Sequence, residues 1–329
     1  LHKGTIFFQI TFMTLPKVSI PITSFNQEKY IKQAVLSAVM QDYDNLQVVA
    51  CDDGSSDNSK NILLDLENKY PDRLEVHINE KTIGSGRNRN LSFSYSNGKY
   101  IAFLDGDDYF LPGKINKQVE FMESHPNCAL SYHDIEVFYD ATNQKIFNWK
   151  DRFGFGDGNI QKLIERGNYI CALSTMFRKK FIPEGGFLET LAGGADWLFF
   201  INLINNGNGE FCYIDDVLAK YRRHSSNITL NWNVKLNSQF KGVELIKEVY
   251  PEYKKEADRR KSDLLVIQAI INFRDKKYIE MVSLLKESLI LVFPKIWRVF
   301  RIPFRELMFL IRKRGTLDPL LESLFQSEK

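Results

Sequence analysis

The feature that most constrains the fold of this chain is a regular alternation of two kinds of segment over its amino-terminal third. Four short segments are predicted to be strands: Val18–Thr23, Leu46–Cys51, Leu74–Ile78 and Tyr100–Leu104. The segments between them have helical character, and Asn26 is placed to cap the first helix. Strands that alternate with helices form right-handed βαβ units, so we expect an α/β fold with a mainly parallel central sheet.

Composition excludes several other classes of protein. The chain has 329 residues, of which 44% are hydrophobic and 26% charged, and these values are typical of globular proteins rather than disordered or fibrous ones. Because 44 basic residues nearly balance 41 acidic residues, the whole molecule is not expected to bind a polyanion. We therefore expect no nucleic-acid partner, and any basic function must be local.

The four cysteines are far apart in the sequence, at Cys51, Cys128, Cys171 and Cys212. No Cys-x-x-Cys pair or Cys/His cluster occurs, so a structural zinc site is not expected. We predict four reduced, buried thiols, which are typical of proteins in a reducing compartment.

Two acidic clusters follow predicted strands at their carboxyl ends. Asp52 and Asp53 end the second strand, and the sequence Asp-Gly-Asp-Asp at Asp105–Asp108 ends the fourth. In parallel α/β sheets, ligands bind beyond the carboxyl ends of the strands. Three carboxylates within four residues repel one another unless a cation neutralises them, and Mg²⁺ or Mn²⁺ fits this role together with substrate phosphates.

Other motifs with known ligands are absent from the sequence. The Asp-x-Asp-x-Asp-Gly spacing of an EF-hand fails at Tyr109. The segment Gly84–Arg89 begins like a dinucleotide-binding fingerprint, but Arg89 stands where the third glycine is required. A Walker A loop does not occur either, so we expect neither an EF-hand calcium loop nor an NAD site.

Taken together, four segments in order along the chain resemble those of one enzyme family. They are Val18–Asn26, Asp52–Ser55, Gly86–Asn88 and Phe103–Asp108. They are similar to the A-type glycosyltransferases of family 2, inverting enzymes that use nucleotide-diphosphate sugars. The resemblance covers about residues 16–229. It implies the GT-A fold, an α/β sandwich that binds a nucleotide on a mainly parallel central sheet.

This resemblance also divides the chain into regions. Residues 16–231 would form the GT-A catalytic domain. Residues 1–15 would be an amino-terminal extension, with Met13 as the natural start. From Trp232 onward the sequence is helical and charged, so residues 232–329 would form a carboxyl-terminal helical region.

The resemblance implies a set of residues that bind the sugar donor. Thr23 and Phe25 would line the nucleotide pocket, with the ring of Phe25 stacking on the base. Asp53 would hydrogen-bond the base or ribose, and Arg87 would lie near the donor. Asp105 would face the ribose or the donor sugar.

The metal ligands are implied in the same way. Asp107 and Asp108 would hold Mg²⁺ or Mn²⁺, because they match the Asp-x-Asp motif of the family. The segment Tyr221–Asn227 resembles the family's Tyr-Arg-x-His-x-x-Asn segment. His224 would therefore join the metal shell, and Arg222 would contact the donor diphosphate.

The catalytic base implied by the resemblance is Asp196. The family usually carries a Glu-Asp pair before an apolar helix, and here the pair reads Ala195-Asp196. Inverting transfer needs a base that removes the proton of the acceptor hydroxyl as this oxygen attacks C1 of the sugar. The change from Glu to Ala bears on acceptor orientation more than on the identity of the base.

A basic and aromatic segment lies near the carboxyl end. Lys295–Arg314 contains seven Lys or Arg residues with Trp and Phe between them, which is typical of a helix that lies on an anionic membrane surface. The alternative is a helix that packs on the catalytic domain. No stretch reaches the roughly 18 to 20 apolar residues of a membrane span. We expect a cytoplasmic protein with peripheral contact at the inner face of the cell membrane.

The favoured function is a metal-dependent inverting transfer of a sugar from a nucleotide-diphosphate donor to a saccharide acceptor. The acceptor would be a polysaccharide or a lipid-linked oligosaccharide, on the resemblance. One alternative is a sugar nucleotidyltransferase, but Thr23–Gln27 lacks the Gly-rich loop and Lys of that class. A second alternative is a non-catalytic, glycosyltransferase-like binding protein. The donor base and sugar, the acceptor and the linkage are left open.

Overall fold

The computed structural model describes residues 15–189, 191, 195–207, 209–225, 227 and 232–292. Within this part, the predicted alternation of strands and helices is confirmed. The elements are β1 (Val18–Ser24), α1 (Ile31–Val39), β2 (Leu46–Asp52), α2 (Ser59–Lys69), β3 (Leu74–Ile78), α3 (Ser85–Tyr95), β4 (Tyr100–Ile101), β5 (Leu104–Asp105), β6 (Tyr109–Phe110), α4 (Lys114–Ser124), β7 (Leu130–Tyr139), β8 (Lys145–Asn148), α5 (Trp149–Phe153), β9 (Gly158–Asn159), α6 (Ile160–Arg166), β10 (Met176–Arg178), α7 (Ala195–Asn206), β11 (Glu210–Arg223), α8 (Trp232–Val249), α9 (Lys254–Arg274) and α10 (Tyr278–Val292).

These strands form one curled sheet with the order β3-β2-β1-β4-β10-β7-β11-β6. The amino-terminal strands are parallel, as predicted, because β1 pairs in parallel with β2, β4 and β5, and β2 with β3. The other half is mixed, since β10 runs antiparallel to both β4 and β7, whereas β7 and β11 are parallel. The predicted strand Tyr100–Leu104 is present as the two short strands β4 and β5.

Helices cover both faces of the sheet, which explains why β1 is buried along nearly its whole length. One apolar cluster joins β1 and β2 to α1, α2 and α4, through residues such as Ile20, Val35 and Ile115. A second cluster joins the opposite face to α3, α6 and α7, through residues such as Phe93 and Phe199. The parallel strands are thereby fixed, and their carboxyl ends share one edge.

The prediction that Asn26 caps the first helix is wrong. Helix α1 begins at Ile31, and its capping position is occupied by Tyr30 without a side-chain cap. Asn26 instead adopts a positive φ of 51°, a conformation that asparagine tolerates better than most residues. Its Oδ1 accepts a hydrogen bond from the amide of Ser56 at 2.9 Å, so that it ties together the loops after β1 and β2.

The prediction of four reduced cysteines is also wrong. Cys128 and Cys212 form a disulfide with a Cα–Cα distance of 6.1 Å, whereas Cys51 and Cys171 are free thiols. The two cysteines are 84 residues apart in sequence, but the parallel pairing of β7 and β11 brings Cys212 close to Cys128, which lies just before β7. This correction removes the cysteine argument for a reducing compartment.

The disulfide should contribute measurably to stability. Replacing both Cys128 and Cys212 by Ser should lower the free energy of unfolding by about 4 kcal/mol, because a cross-link across a long loop restricts the unfolded chain. Denaturant titration with and without a reducing agent measures this difference. The wild type should lose stability on reduction and the double variant should not; equal stability of the two proteins under oxidising conditions would contradict the expectation.

The carboxyl-terminal region is helical, as predicted, over the part that the structure describes. Helices α8 and α9 join the core cluster of α7, through residues such as Val243 and Leu264. These helices thus share a core with the preceding part of the chain, and the domain division at residue 231 stays a proposal. The predicted amino-terminal extension, except for Leu15, and the basic segment Lys295–Arg314 lie outside the described residues. Among the helices described, none combines the length and hydropathy that crossing a membrane requires.

Candidate active site

The carboxyl ends of β1, β2 and β5 bring the predicted donor-binding residues to one edge of the sheet. Thr23 lies between Cys51 of β2 and Asp105 of β5 in the sheet register. Its hydroxyl donates to Oδ1 of Asp105 at 3.4 Å. Phe25 follows directly after β1, and its ring is 47% exposed, so an apolar surface is presented beside these polar groups.

Asp53 is buried and anchors the loop that leads into α3. Its Oδ1 accepts from the amide of Ile83 at 2.8 Å, and its Oδ2 accepts from the amide of Gly84 at 3.0 Å. Gly84 has a φ of 99°, which favours glycine at this turn. The carboxylate therefore holds the start of α3 beside the sheet edge, and its contact with a nucleotide base or ribose stays a prediction.

Arg89 is a residue that the sequence analysis did not assign to the site. Its Nη2 donates to Oδ1 of Asp105 at 3.0 Å, and its Nη1 donates to Oδ1 of Asp196 at 2.5 Å. The guanidinium lies over the rings of Phe103 and Phe187, at 4.7 and 5.3 Å from their centroids. A single half-buried cation thus joins the predicted donor-side carboxylate to the predicted base.

Arg87, which the resemblance placed near the donor, lies at the surface, and its contact with a donor stays a prediction. Its side chain is 62% exposed and pairs with Glu189 at 2.6 Å. Residues two positions apart lie on nearly opposite faces of a helix, so only one of Arg87 and Arg89 can face the sheet edge. The signal for Arg89 was its position four residues before Phe93, an apolar residue on the buried face of α3.

Burial and charge set the protonation of this cluster. Burial raises the pKa of Asp105, as do the carboxylates of Asp107 and Asp196, while the Arg89 guanidinium opposes the rise. Burial disfavours the charge of Arg89, but Asp105 and Asp196 outweigh it and raise the pKa of the guanidinium. At this edge of the sheet, the carboxylates of Asp105, Asp107 and Asp196 thus outnumber the one guanidinium of Arg89.

Asp107 and His224 are brought together, as predicted. His224 Nε2 lies 2.9 Å from Oδ2 of Asp107, and the Asn227 amide lies 3.4 Å from the same oxygen. The imidazole stacks on the ring of Tyr30 with a centroid distance of 4.8 Å. Two side chains of the metal-ligating type, one from the end of β5 and one from the end of β11, thus face each other.

These two side chains fit a metal site whose other ligands come from the substrate and from water. The described residues contain no group of three or more His, Cys, Asp or Glu side chains arranged to hold a metal ion. Mg²⁺, however, is commonly bound by only one or two carboxylates together with substrate phosphates and water. A carboxylate and an imidazole nitrogen 2.9 Å apart therefore suit a cation whose remaining ligands come from a diphosphate.

Asp108 and Arg222 are placed differently from Asp107. Asp108 is only 2% exposed, and its Oδ1 accepts from the backbone amide of Arg222 at 2.8 Å. Burial and the neighbouring Asp107 carboxylate raise the pKa of Asp108 well above its usual range. Asp108 thus holds β11 against the turn formed by Asp105–Asp108. Its role as a metal ligand stays a prediction.

The guanidinium of Arg222 is buried and donates hydrogen bonds to three other residues. Nε donates to the Asp107 carbonyl at 2.8 Å, Nη1 to Oδ1 of Asp140 at 2.7 Å and Nη2 to Oε1 of Gln33 at 2.5 Å. The guanidinium also lies 4.8 Å from the centroid of the Tyr30 ring. A contact between Arg222 and a diphosphate stays a prediction, and it requires that some of these bonds be exchanged.

Asp196 lies in the first turn of α7, where the positive end of the helix dipole favours a negative charge. The next residue, Trp197, is fully buried, and its Nε1 donates to the carbonyl of Leu163 at 3.0 Å, so this end of the helix is fixed in the core. The Asp196 side chain is 24% exposed. Arg89 holds its Oδ1, and no described residue donates a hydrogen bond to its Oδ2.

Comparison with known proteins gives the same family as the resemblance of the sequence motifs. The family model described as Glycosyl transferase family 2 matches residues 19–183. An uncharacterized protein of Mycobacterium tuberculosis is 28% identical over 217 residues, which are 64% of this chain and 60% of that protein. The chain thus spans about 60% of the length of this relative.

Two relatives from Escherichia coli have named activities. The UDP-Glc:alpha-D-GlcNAc-diphosphoundecaprenol beta-1,3-glucosyltransferase WfaP is 34% identical over 215 residues, which are 65% of this chain and 80% of WfaP. WfgD, which carries the same activity name, is 26% identical over 223 residues, which are 68% of this chain and 83% of WfgD.

Solved structures show the same architecture. S. aureus TarS 1-349 in complex with UDP-GlcNAc has a TM-score of 0.67 at 17% identity, with 90% of this chain and 87% of that chain covered. The mannosyltransferase PcManGT of Pyrobaculum calidifontis in complex with GDP-Man and Mn²⁺ has a TM-score of 0.53 at 14% identity, with 95% and 79% covered. This chain belongs to glycosyl transferase family 2 and has the GT-A fold.

Proposed function

We propose that this protein is a metal-dependent inverting glycosyltransferase that moves a sugar from a nucleotide-diphosphate donor to a hydroxyl of a saccharide acceptor. The observation that carries the proposal is the arrangement of Asp105, Arg89 and Asp196 beside the Asp107–His224 pair. One edge of the sheet then carries a donor-side carboxylate, a metal-ligand pair and a base. Inverting transfer in one step can be carried out by these three elements together.

The donor half of the site is proposed as follows. Thr23, Phe25 and Asp105 would contact the nucleoside or the donor sugar, on the sequence resemblance and on their shared position at the edge of the sheet. Asp107 and His224 would hold Mg²⁺ or Mn²⁺. When bound, this cation supplies positive charge that stabilises the departing nucleotide diphosphate.

In the transfer step, Asp196 acts as the base. Its Oδ2 accepts the proton of the acceptor hydroxyl, while Arg89 holds its Oδ1 and compensates its charge. The acceptor oxygen forms a bond to C1 of the sugar from the side opposite the leaving group, and the bond from C1 to the diphosphate oxygen breaks. The configuration at C1 is inverted, and the nucleotide diphosphate leaves with the electron pair.

A non-catalytic binding protein is the second candidate, favoured by one observation. Ala195 stands where the family usually has Glu, so one acidic side chain of the acceptor site is absent. The ion pair between Arg89 and Asp196 favours the catalytic candidate, because it holds the carboxylate of the proposed base at the sheet edge. Hydrolysis or transfer of a bound donor in the presence of Mn²⁺ separates the two candidates.

Donor binding tests the proposed function directly. Titration calorimetry with UDP, GDP and dTDP sugars, with and without Mn²⁺, should identify one nucleotide that binds only with the metal. Replacing Asp107 by Ala should remove this metal-dependent binding, because the cation loses its carboxylate ligand. Asp65→Ala, at an exposed position in α2, is the matched control and should bind like the wild type. Metal-dependent binding by Asp107→Ala at wild-type affinity would rule out this carboxylate as the ligand.

The acceptor is proposed to be a lipid-linked saccharide at a membrane. The named relatives use an acceptor of this type, and the basic, aromatic segment Lys295–Arg314 provides a means of membrane contact. Each basic residue near an anionic surface contributes about 1 kcal/mol to binding. We propose peripheral association with the cytoplasmic face of the membrane through this segment.

Vesicle flotation tests the membrane proposal. The full chain should float with vesicles that contain phosphatidylglycerol at low salt and should be released as the salt concentration rises. A chain that ends at Val292 keeps α10 whole and should not float, while its binding of the nucleotide donor should be unchanged. If the full chain stays unbound at low salt, the segment has another role and the proposed membrane contact is wrong.

A further inference from the structure

A groove on the surface beside α1 is separate from the carboxylates described above. It lies between α1 and β6, has a volume of about 640 Å³ and is called the α1 groove here. We propose that the α1 groove binds the lipid-diphosphate portion of the acceptor, an inference that rests on the proposed function. The residues of the lining that matter here are Lys29, Lys32, Leu36, Met40, Tyr109 and Pro112.

One end of the α1 groove is cationic. Lys29 and Lys32 are exposed, and neither forms a salt bridge within the part of the chain that the structure describes. Lys117, on α4, is by contrast paired with Asp216. No carboxylate is among the described residues that line the groove. Two ammonium groups without compensating acids make this end attractive to a diphosphate.

The other end of the α1 groove is apolar. Leu36 and Met40 lie one helical turn apart, and Met40 is 70% exposed, which is a large value for an apolar side chain. Pro112 contributes apolar surface from the opposite wall. The distance along the helix axis from Lys32 to Met40 is about 12 Å. An anionic head with an isoprenoid chain matches this order of charged and apolar surface.

The cationic end borders the candidate active site. Gln33, which also lines the groove, accepts from Arg222, and Arg222 donates to the carbonyl of Asp107. Tyr30 is the neighbour of Lys29 and stacks on His224. In a lipid-diphosphate sugar, the first sugar is bonded directly to the diphosphate. A diphosphate held by Lys29 and Lys32 would therefore keep this sugar close to the Asp107–His224 pair.

Calorimetry with farnesyl diphosphate tests the inference on the full chain. EDTA is present, so that binding of the diphosphate at the metal-dependent donor site is suppressed. The Lys29→Glu/Lys32→Glu variant should bind the probe about tenfold or more weakly than the wild type, because attraction is replaced by repulsion. Lys60→Glu/Lys145→Glu, which changes two exposed lysines on other elements, is the matched control and should bind like the wild type.

The apolar end is tested in the same way. Met40→Asp should weaken the binding of farnesyl diphosphate but not of inorganic diphosphate, and Val249→Asp, at a residue that is 60% exposed, is its control. The inference is overturned if the lysine variant binds the probe like the wild type. It is equally overturned if inorganic diphosphate or dihexanoyl phosphatidylglycerol binds as tightly as farnesyl diphosphate.

A separate titration distinguishes this inference from the proposed function. The lysine variant and the wild type should bind the nucleotide donor equally well in Mn²⁺. If no nucleotide binds to the wild type while farnesyl diphosphate binds through the two lysines, the groove assignment is supported and the proposed donor site is wrong. If saturating nucleotide and Mn²⁺ displace the probe from the wild type, the probe occupies the donor site and the groove assignment is wrong.

Discussion

Replacing Asp196 by Asn should leave donor binding intact and reduce the rate of sugar transfer by about 10²- to 10⁴-fold. Asn has nearly the same shape as Asp, and its carbonyl oxygen still accepts the hydrogen bond from Arg89. It cannot take up the proton of the acceptor hydroxyl, so general-base catalysis is lost. The measurement is the transfer rate at saturating donor, together with the donor affinity in Mn²⁺.

Asp215→Asn provides the matched control for this variant. Asp215 is an exposed carboxylate that pairs with Lys150 at 2.5 Å, and its replacement should change neither the rate nor the affinity. An Asp196→Asn protein that transfers sugar at near the wild-type rate would remove Asp196 from the mechanism. Loss of donor binding in that variant would instead assign Asp196 to the donor site.

Replacing Arg89 by Met should reduce transfer by roughly 10²-fold, because Asp105 and Asp196 lose the cation that they share. The Arg89 guanidinium opposes the rise in the pKa of Asp105, so without it this carboxylate is protonated more easily and the acidic limb of the pH–rate profile should move to higher pH. Arg89→Lys should restore part of the rate, since it keeps the charge but loses the fork that spans two carboxylates.

Arg87→Met is the informative comparison for Arg89→Met. Arg87 is two residues away and pairs with Glu189 on the surface, so its replacement should have a small effect on the transfer rate. Thermal unfolding of each variant checks that the fold is intact. If Arg87→Met is the more damaging change, the assignment from sequence resemblance is right and the assignment from the ion pairs is wrong.

Much of the fold could be predicted because each element carries its own local signal. The alternation of strands and helices placed β1, β2 and β3 correctly, and the acidic clusters lie at the predicted edge of the sheet. Asp107 and His224 meet although 117 residues separate them. Their pairing was implied by the family resemblance and not by local sequence.

The errors concern contacts that local patterns do not encode. The disulfide depends on the parallel pairing of β7 and β11, which brings together segments 84 residues apart. Asn26 looked like a helix cap, but the helix begins five residues later and Asn26 bonds to Ser56 instead. In both cases the partner comes from another element of the fold.

Arg89 shows how a candidate site residue can be missed when it is close to a motif. The resemblance covers Gly86–Asn88 and therefore implies Arg87 and not Arg89. The face of α3 that contains the buried Phe93 decides which arginine points inward, and that face becomes certain only with the packing of the aromatic cluster. Knowing which face of α3 packs against the core would therefore have identified Arg89.

The configuration at C1 of the product is the measurement that tests the central claim most directly. The full chain is incubated with Mn²⁺, with the nucleotide sugar that binds in calorimetry and with a lipid-diphosphate acceptor that carries one sugar. The product is then examined by NMR. We expect one new glycosidic bond with the configuration at C1 opposite to that of the donor, and far less product from Asp196→Asn in the same time. A product that retains the donor configuration, or equal product from Asp196→Asn, would contradict direct displacement assisted by Asp196.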